Sequence, residues 1–165
     1  MGRRVAVAAI GQDQPGILAA LVAALGDAVL TGSTMTRLEG EFAVLLTAVV
    51  DRPAPDVAAG LAPVGELYAL HVSVRDLGEP PPEPGVDYTL VIHGADRPSV
   101  VADIAGAAAR YGINVVAMSR DGSALLLEAR VPGPRAAIAF AEELAALSAT
   151  LEADCRFEPL ERRRA

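Results

Sequence analysis

Hydrophobic positions along the chain fall into short strand-like runs and longer helix-like stretches, and the order in which they come occurs twice. In the first half, an apolar run at residues 4–10 reads as a strand. A helical pattern follows at 17–25, then β-rich runs at 29–37 and 42–50 around Glu39-Gly40. The half closes with a helix at 53–64 and a strand at 68–77. The second half repeats this with a strand at 87–93, a helix at 100–111, strands at 113–120 and 124–131 around Asp121-Gly122, a helix at 134–149 and a strand at 151–160. Glu39-Gly40 and Asp121-Gly122 suit hairpin turns, and Pro53 and Pro134 stand at helix starts, where a missing N–H costs least. Both halves therefore predict the order βαββαβ.

Such a split βαβ unit places two helices on one face of a four-stranded antiparallel sheet. The predicted fold class is α+β, with two tandem ferredoxin-like domains. Between them lies Gly78-Glu79-Pro80-Pro81-Pro82-Glu83-Pro84-Gly85, whose prolines favour an extended spacer. The predicted organisation is domain 1 at 1–77, a linker at 78–85 and domain 2 at 86–165. Each half carries little more than one apolar layer, and small domains of that kind gain from docking or dimerisation. Sheet edges invite such pairing.

Composition narrows the function classes. The chain of 165 residues is 52% hydrophobic but only 4% aromatic, so the core is built mainly from small aliphatic side chains. Gly, Pro, Asp or Arg interrupts every apolar run, so no membrane span is predicted. The basic start Met1-Gly2-Arg3-Arg4 leads into an apolar segment stopped by Gly11-Gln12-Asp13, which does not read as a signal peptide, and a cytoplasmic protein is expected. One Cys and two His offer no disulfide and no metal cluster, and no cofactor is predicted. The net charge of −7 argues against holding a phosphate backbone. The central strands also lack the stacking aromatics that an RNA-recognition domain with the same element order would need.

Self-similarity is sharpest at Gly11-Gln12-Asp13-Gln14-Pro15-Gly16-Ile17 and Gly94-Ala95-Asp96-Arg97-Pro98-Ser99-Val100. Both read G-x-D-x-P-small-aliphatic, between a strand and a helix. Asp13 or Asp96 could accept a hydrogen bond from a ligand's ammonium, while the unpaired N–H groups of the first helical turn receive its carboxylate. The alternative is that each Asp merely caps its helix. Arg97 could pair with a carboxylate or stand solvated, and the first repeat has Gln14 there. His93 ends a strand and could reach a ligand, although a half-exposed strand position is the preferred reading; His71 receives no role. The serines lie in no nucleophile elbow and no Walker loop is present, so an enzyme is not predicted.

The doubled Asp-x-Pro loop resembles the loop between the first strand and first helix of ACT domains. Met35-Thr36-Arg37-Leu38-Glu39-Gly40-Glu41-Phe42-Ala43 resembles the hairpin of the family of the glycine cleavage system transcriptional repressor, which consists of two ACT domains and little else. The resemblance implies a non-catalytic regulatory module. It would bind a small amino acid where the loop meets the start of the second strand, often across an interface between domains, form a homodimer and act through a protein partner without binding nucleic acid. Carried over by position, the site residues are Asp13, Gln14, Pro15, Gly16 and Ile17 in the first half and Asp96, Arg97, Pro98, Ser99 and Asn114 in the second. Two departures matter: Val29 replaces the polar residue retained as Asn114, and Ser99 replaces the small glycine retained as Gly16. Neither half then has a complete site. A ligand-independent dimerisation or protein-interaction module is the alternative.

Overall fold

The structure, a computed structural model, describes residues 2–79, 86–94 and 97–160. The first half runs β1 (Arg3–Gln12), α1 (Ile17–Leu25), β2 (Val29–Leu38), β3 (Glu41–Val50), α2 (Ala54–Tyr68) and β4 (His71–Leu77). The second runs β5 (Val86–His93), α3 (Pro98–Arg110), β6 (Asn114–Asp121), β7 (Ala124–Val131), α4 (Pro134–Leu151) and β8 (Asp154–Pro159). The strand orders are β2-β3-β1-β4 and β6-β7-β5-β8, with antiparallel pairing throughout. This is the predicted α+β class, a ferredoxin-like unit occurring twice. Contacts divide the chain into units Met1–Pro81 and Pro82–Ala165. Most of the predicted linker, residues 80–85, lies outside the described residues.

The period of two in the strands sets the core. Val5, Val7 and Ala9 of β1 are buried beside Ala48, Leu46 and Val44 of β3, their register partners. Against this face pack Ile17, Leu21 and Leu25 of α1, spaced by four, and Ala54, Val57 and Leu61 of α2. Unit 2 repeats the plan with Leu90 and Ile92, Leu125 and Leu127, Val100 and Ile104 of α3, and Phe140 and Leu144 of α4. The opposite faces of the two sheets differ. On β1, β3 and β4 the alternate positions combine Ala6, Ala8, Ala43, Leu45 and Ser73 with Arg4, Glu41 and Arg75, whereas on β5, β7 and β8 they combine Asp87, Glu128, Arg130, Arg156 and Glu158 with Thr89, Val91 and Leu126.

Two helices run further than their sequence predicts, and for the same reason. Tyr68 was expected to open a strand but is the last residue of α2, and Leu151 likewise ends α4. In each case a non-glycine residue takes the left-handed conformation after the helix, Ala69 (φ 53) and Glu152 (φ 54). The N–H groups of Leu70 and Ala153 then reach back to the carbonyls of Gly65 and Ser148, at 2.8 and 3.1 Å. This six-to-one bond closes a helix end without the glycine that usually marks it. Pro63 sits inside α2 instead of ending it. Other helix ends are closed by charge: the Arg52 guanidinium donates to the carbonyls of Ala24 and Leu25 at the end of α1. The carboxylate of Glu143 accepts from the Tyr111 hydroxyl and pairs with Arg110, and together they hold its pKa below the usual carboxylate value.

At one edge of each sheet lies a poorly covered strand. Every residue of β2 is exposed, and β6 is exposed except at Val115. Both carry a β-bulge near the start, between Leu30 and Gly32 and between Val115 and Ala117.

Candidate functional site

The loop after β1 is fixed from three directions. The Asp13 N–H donates to the Gly40 carbonyl at 2.9 Å, which ties the loop to the tip of the β2–β3 hairpin. That hairpin turns on Glu39 and Gly40, both with positive φ, as a two-residue turn requires. Gly16 has φ 94, and a Cβ there would lie 2.9 Å from the Tyr68 hydroxyl, so a tight bend and a close approach coincide at one residue. Ile17 is 1% exposed, its side chain inserted in the core. Its contribution to any ligand is therefore restricted to its backbone N–H at the open first turn of α1.

Asp13 does not cap the helix. The N-cap of α1 is Gly16, without a side-chain capping bond. The Asp13 carboxylate instead pairs with Nε of Arg37 on β2 at 3.0 Å, in a pair whose side chains are 33% and 70% exposed. The capping alternative is thereby removed for the first repeat, leaving a carboxylate and a guanidinium at the mouth of the loop. Asp96, its counterpart, lies outside the described residues.

Gln14 and Arg97 hold equivalent positions and perform the same task. Gln14 Nε2 donates to the Tyr68 carbonyl at 3.4 Å, and Arg97 Nη2 donates to the Leu151 carbonyl at 3.1 Å. Tyr68 and Leu151 are the last residues of α2 and α4, so the loop side chain in each unit satisfies an otherwise orphaned helix-terminal carbonyl. Arg97 is also the N-cap of α3, again without a side-chain capping bond; Pro98 follows as the first helical residue and Ser99 is exposed.

The structure does not bring Asn114 to this loop within its own unit. Asn114 opens β6 and pairs with Arg130, which pairs with Asp87 at the beginning of β5; the loop leaves from His93 at the other end of that strand. At about 3.3 Å per residue, the two are separated by about 20 Å. The cause is topological, because a helix following β5 returns the chain to the end where β5 began. Val29 is removed from the Asp13 loop in the same way. Beside Val29 lies an open groove of ≈ 490 Å³ lined by Leu25 to Val29 and Val49 to Arg52.

Sequence reasoning passed over Arg37. It stood within the Met35–Ala43 hairpin without a role, yet Met35-Thr36-Arg37 in β2 is matched by Met118-Ser119-Arg120 in β6. The repeated aspartate is thus accompanied by a repeated arginine. His93 and His71 are exposed at strand ends, and half-burial raises the pKa of Cys155. Among the described residues, no group of three or more His, Cys, Asp or Glu could hold a metal ion, and no helix is long and apolar enough to cross a membrane.

No protein-family model and no curated protein sequence matches this chain. Solved structures do. An unknown protein from Galdieria sulphuraria is 20% identical and superposes with a TM-score of 0.75, over 97% of this chain and 99% of that one. A protein assigned as a glycine cleavage system transcriptional repressor is 16% identical with a TM-score of 0.73, over 97% and 98%. The fold these two structures share with this chain is a tandem pair of ferredoxin-like βαββαβ units. At these identities the likeness concerns the fold alone, and the loops after β1 and β5 are judged on their own residues.

Proposed function

We propose that this tandem ACT protein is a non-catalytic regulator that binds a small amino acid at the loop after β1 and thereby changes its affinity for a protein partner. One observation carries the proposal: the Asp13 carboxylate is turned away from capping duty and pairs with Arg37 of β2, in the loop that leads into α1. An ammonium and a carboxylate, the two charges every amino acid shares, find complementary groups there. The protein assigned as a glycine cleavage repressor adds analogy at the level of fold only. With a net charge of −7, an effect on transcription would pass through another protein.

Affinity would be modest. At about 1.5 kcal/mol per non-hydrogen atom, an amino acid as small as glycine is limited to about −7.5 kcal/mol, which is micromolar at best. In a thermal-shift screen of the full chain against the twenty amino acids at about 10 mM, saturation at 100 times Kd adds about 2.7 kcal/mol and raises the midpoint by several degrees. The shift should disappear with Asp13→Ala. A flat screen would sink the proposal, while a shift retained in both Asp13→Ala and Asp96→Ala would move the site to the groove beside Val29.

The exposed strands β2 and β6 favour a second reading, an association module that acts as a homodimer. Met35 and Leu38 on β2 and Val116 and Met118 on β6 are large apolar residues in solvent on unpaired edges. A wild-type dimer in sedimentation velocity should become a monomer with Met35→Lys and Met118→Lys together. A monomeric wild type would exclude this reading.

A further inference from the structure

We propose that the backs of the two sheets, the faces turned away from the helices, form an interface between two copies of this chain. The back of unit 1 in one copy lies against the back of unit 2 in the other. This pairing uses neither the loops nor the edges of β2 and β6, and is independent of both readings above.

Charge sets which face meets which. Ala6 pairs with Arg75 as Thr89 pairs with Glu158, and Ile10 pairs with His71 as His93 pairs with Asp154. Arg75 and His71 are therefore the counterparts of Glu158 and Asp154, and Arg4 of Asp87 on the same register. At all three positions a basic or neutral side chain in unit 1 gives way to a carboxylate in unit 2. The whole faces differ in the same sense. The back of unit 1 carries Arg4 and Arg75 against Glu41, beside the exposed His71. That of unit 2 carries Asp87, Asp121, Glu128, Asp154 and Glu158 against Arg130 and Arg156, with Asp87 and Arg130 paired at 2.8 Å. Laid on its own copy, either back brings like charge to like, whereas unlike backs attract.

The middle of each face is suited to being covered. Ala8 and Ala43 on the back of unit 1 adjoin Ile10 and Leu45, which are 50% and 44% exposed, and Val91, Ala124 and Leu126 occupy the same region in unit 2. The charges lie mainly on the outer strands β4 and β8 and at strand ends, so an apolar centre sits inside a charged rim, as in protein interfaces. Size makes the pairing reciprocal. Strands about 4.8 Å apart and about eight residues long give a four-stranded face of about 500 Å², so one face-to-face contact buries about 1,000 Å². That is marginal for a stable complex, but a two-fold dimer makes the contact twice, and about 2,000 Å² is ample.

The experiment is sedimentation velocity of the full chain and two charge-reversed variants in about 0.1 M NaCl, where charges are felt over about 10 Å. His71→Glu with Arg75→Glu gives both backs an excess of carboxylates. Glu128→Arg with Asp154→Arg and Glu158→Arg gives both an excess of arginines. All five residues are exposed, so each variant should keep the wild-type circular dichroism. The expected result is a wild-type dimer and self-association weakened about tenfold or more in each variant. An equal mixture of the two variants should form a heterodimer of nearly wild-type affinity, because every acidic back then meets a basic one. Mixing cannot repair a damaged fold, so recovery would belong to the interface. A monomeric wild type, or variants that dimerise as tightly as the wild type, would overturn the proposal, as would variants that stay monomeric both alone and mixed. A dimer lost through Met35→Lys with Met118→Lys and kept in both charge variants would overturn it in favour of the strand edges. Amino-acid binding is read separately, by the thermal-shift screen.

Discussion

Phe140→Ala should remove about 3–5 kcal/mol from the stability of unit 2, the cost of truncating a fully buried aromatic side chain. Phe140 is 0% exposed and lies edge-on to Phe157, with ring centroids 4.9 Å apart, and edge-on to Tyr111 at 6.3 Å. Phe157 in turn stacks on Tyr88 at 4.6 Å. One ring thus connects α3, α4, β5 and β8, and its loss leaves a cavity that small neighbours such as Ala107 and Ala137 cannot fill. Unit 1 has its own core of Val, Leu and Ile with Phe42, so the loss should fall on one transition of two. Tyrosine fluorescence gives the means of telling them apart: two of the three tyrosines, Tyr88 and Tyr111, lie in unit 2, and the chain has no Trp. In a denaturant melt, the fluorescence transition should move to lower denaturant, and circular dichroism should divide into two steps, the earlier coincident with the fluorescence change. A loss below about 1 kcal/mol would mean that the ring cluster is not the centre of that core.

Gly16→Ala should combine lower stability with loss of ligand response. A side chain at φ 94 costs about 1–2 kcal/mol from backbone sterics alone. The new methyl group would also stand 2.9 Å from the Tyr68 hydroxyl, so the tyrosine must move. Because Gln14 is bound to the carbonyl of that same Tyr68, the displacement is transmitted to the loop that carries Asp13. Pairing the substitution with Tyr68→Phe separates the two contributions. Removing the hydroxyl should recover the steric part and leave the backbone part, a coupling visible in a double-mutant cycle of denaturant midpoints. If the four chains gave strictly additive free energies, the contact with Tyr68 would carry no energy.

The element order could be read in advance because strand and helix periodicities changed in the same sequence on both sides of the proline-rich segment. Helix ends were harder. Ala69 and Glu152 adopt a conformation usually left to glycine, and the bonds that hold them there are backbone to backbone, so the side chains gave no warning. The loop motif was visible as a repeat, but its internal division of roles was not. Gln14 and Arg97 meet carbonyls 54 residues further along the chain, a partner that local spacing cannot disclose. Asn114 was grouped with the loop by family position alone, and within its own sheet it lies at the far end, since each helix reverses the chain. Arg37 was missed because it sits on a strand and not in the loop, although its repetition as Arg120 was available.

The two sheet backs described above carry charge to different degrees, and so differ in their response to salt. Around Ala8, Ala43 and Leu45, flanked by Arg4 and Arg75, covering the face would exclude water, a contribution that sulfate or phosphate strengthens. A surface of Asp87, Glu128, Arg130, Arg156 and Glu158 associates through charge, which the same ions screen within about 10 Å at 0.1 M. A duplicated fold has thereby acquired two unlike coats over one repeated frame.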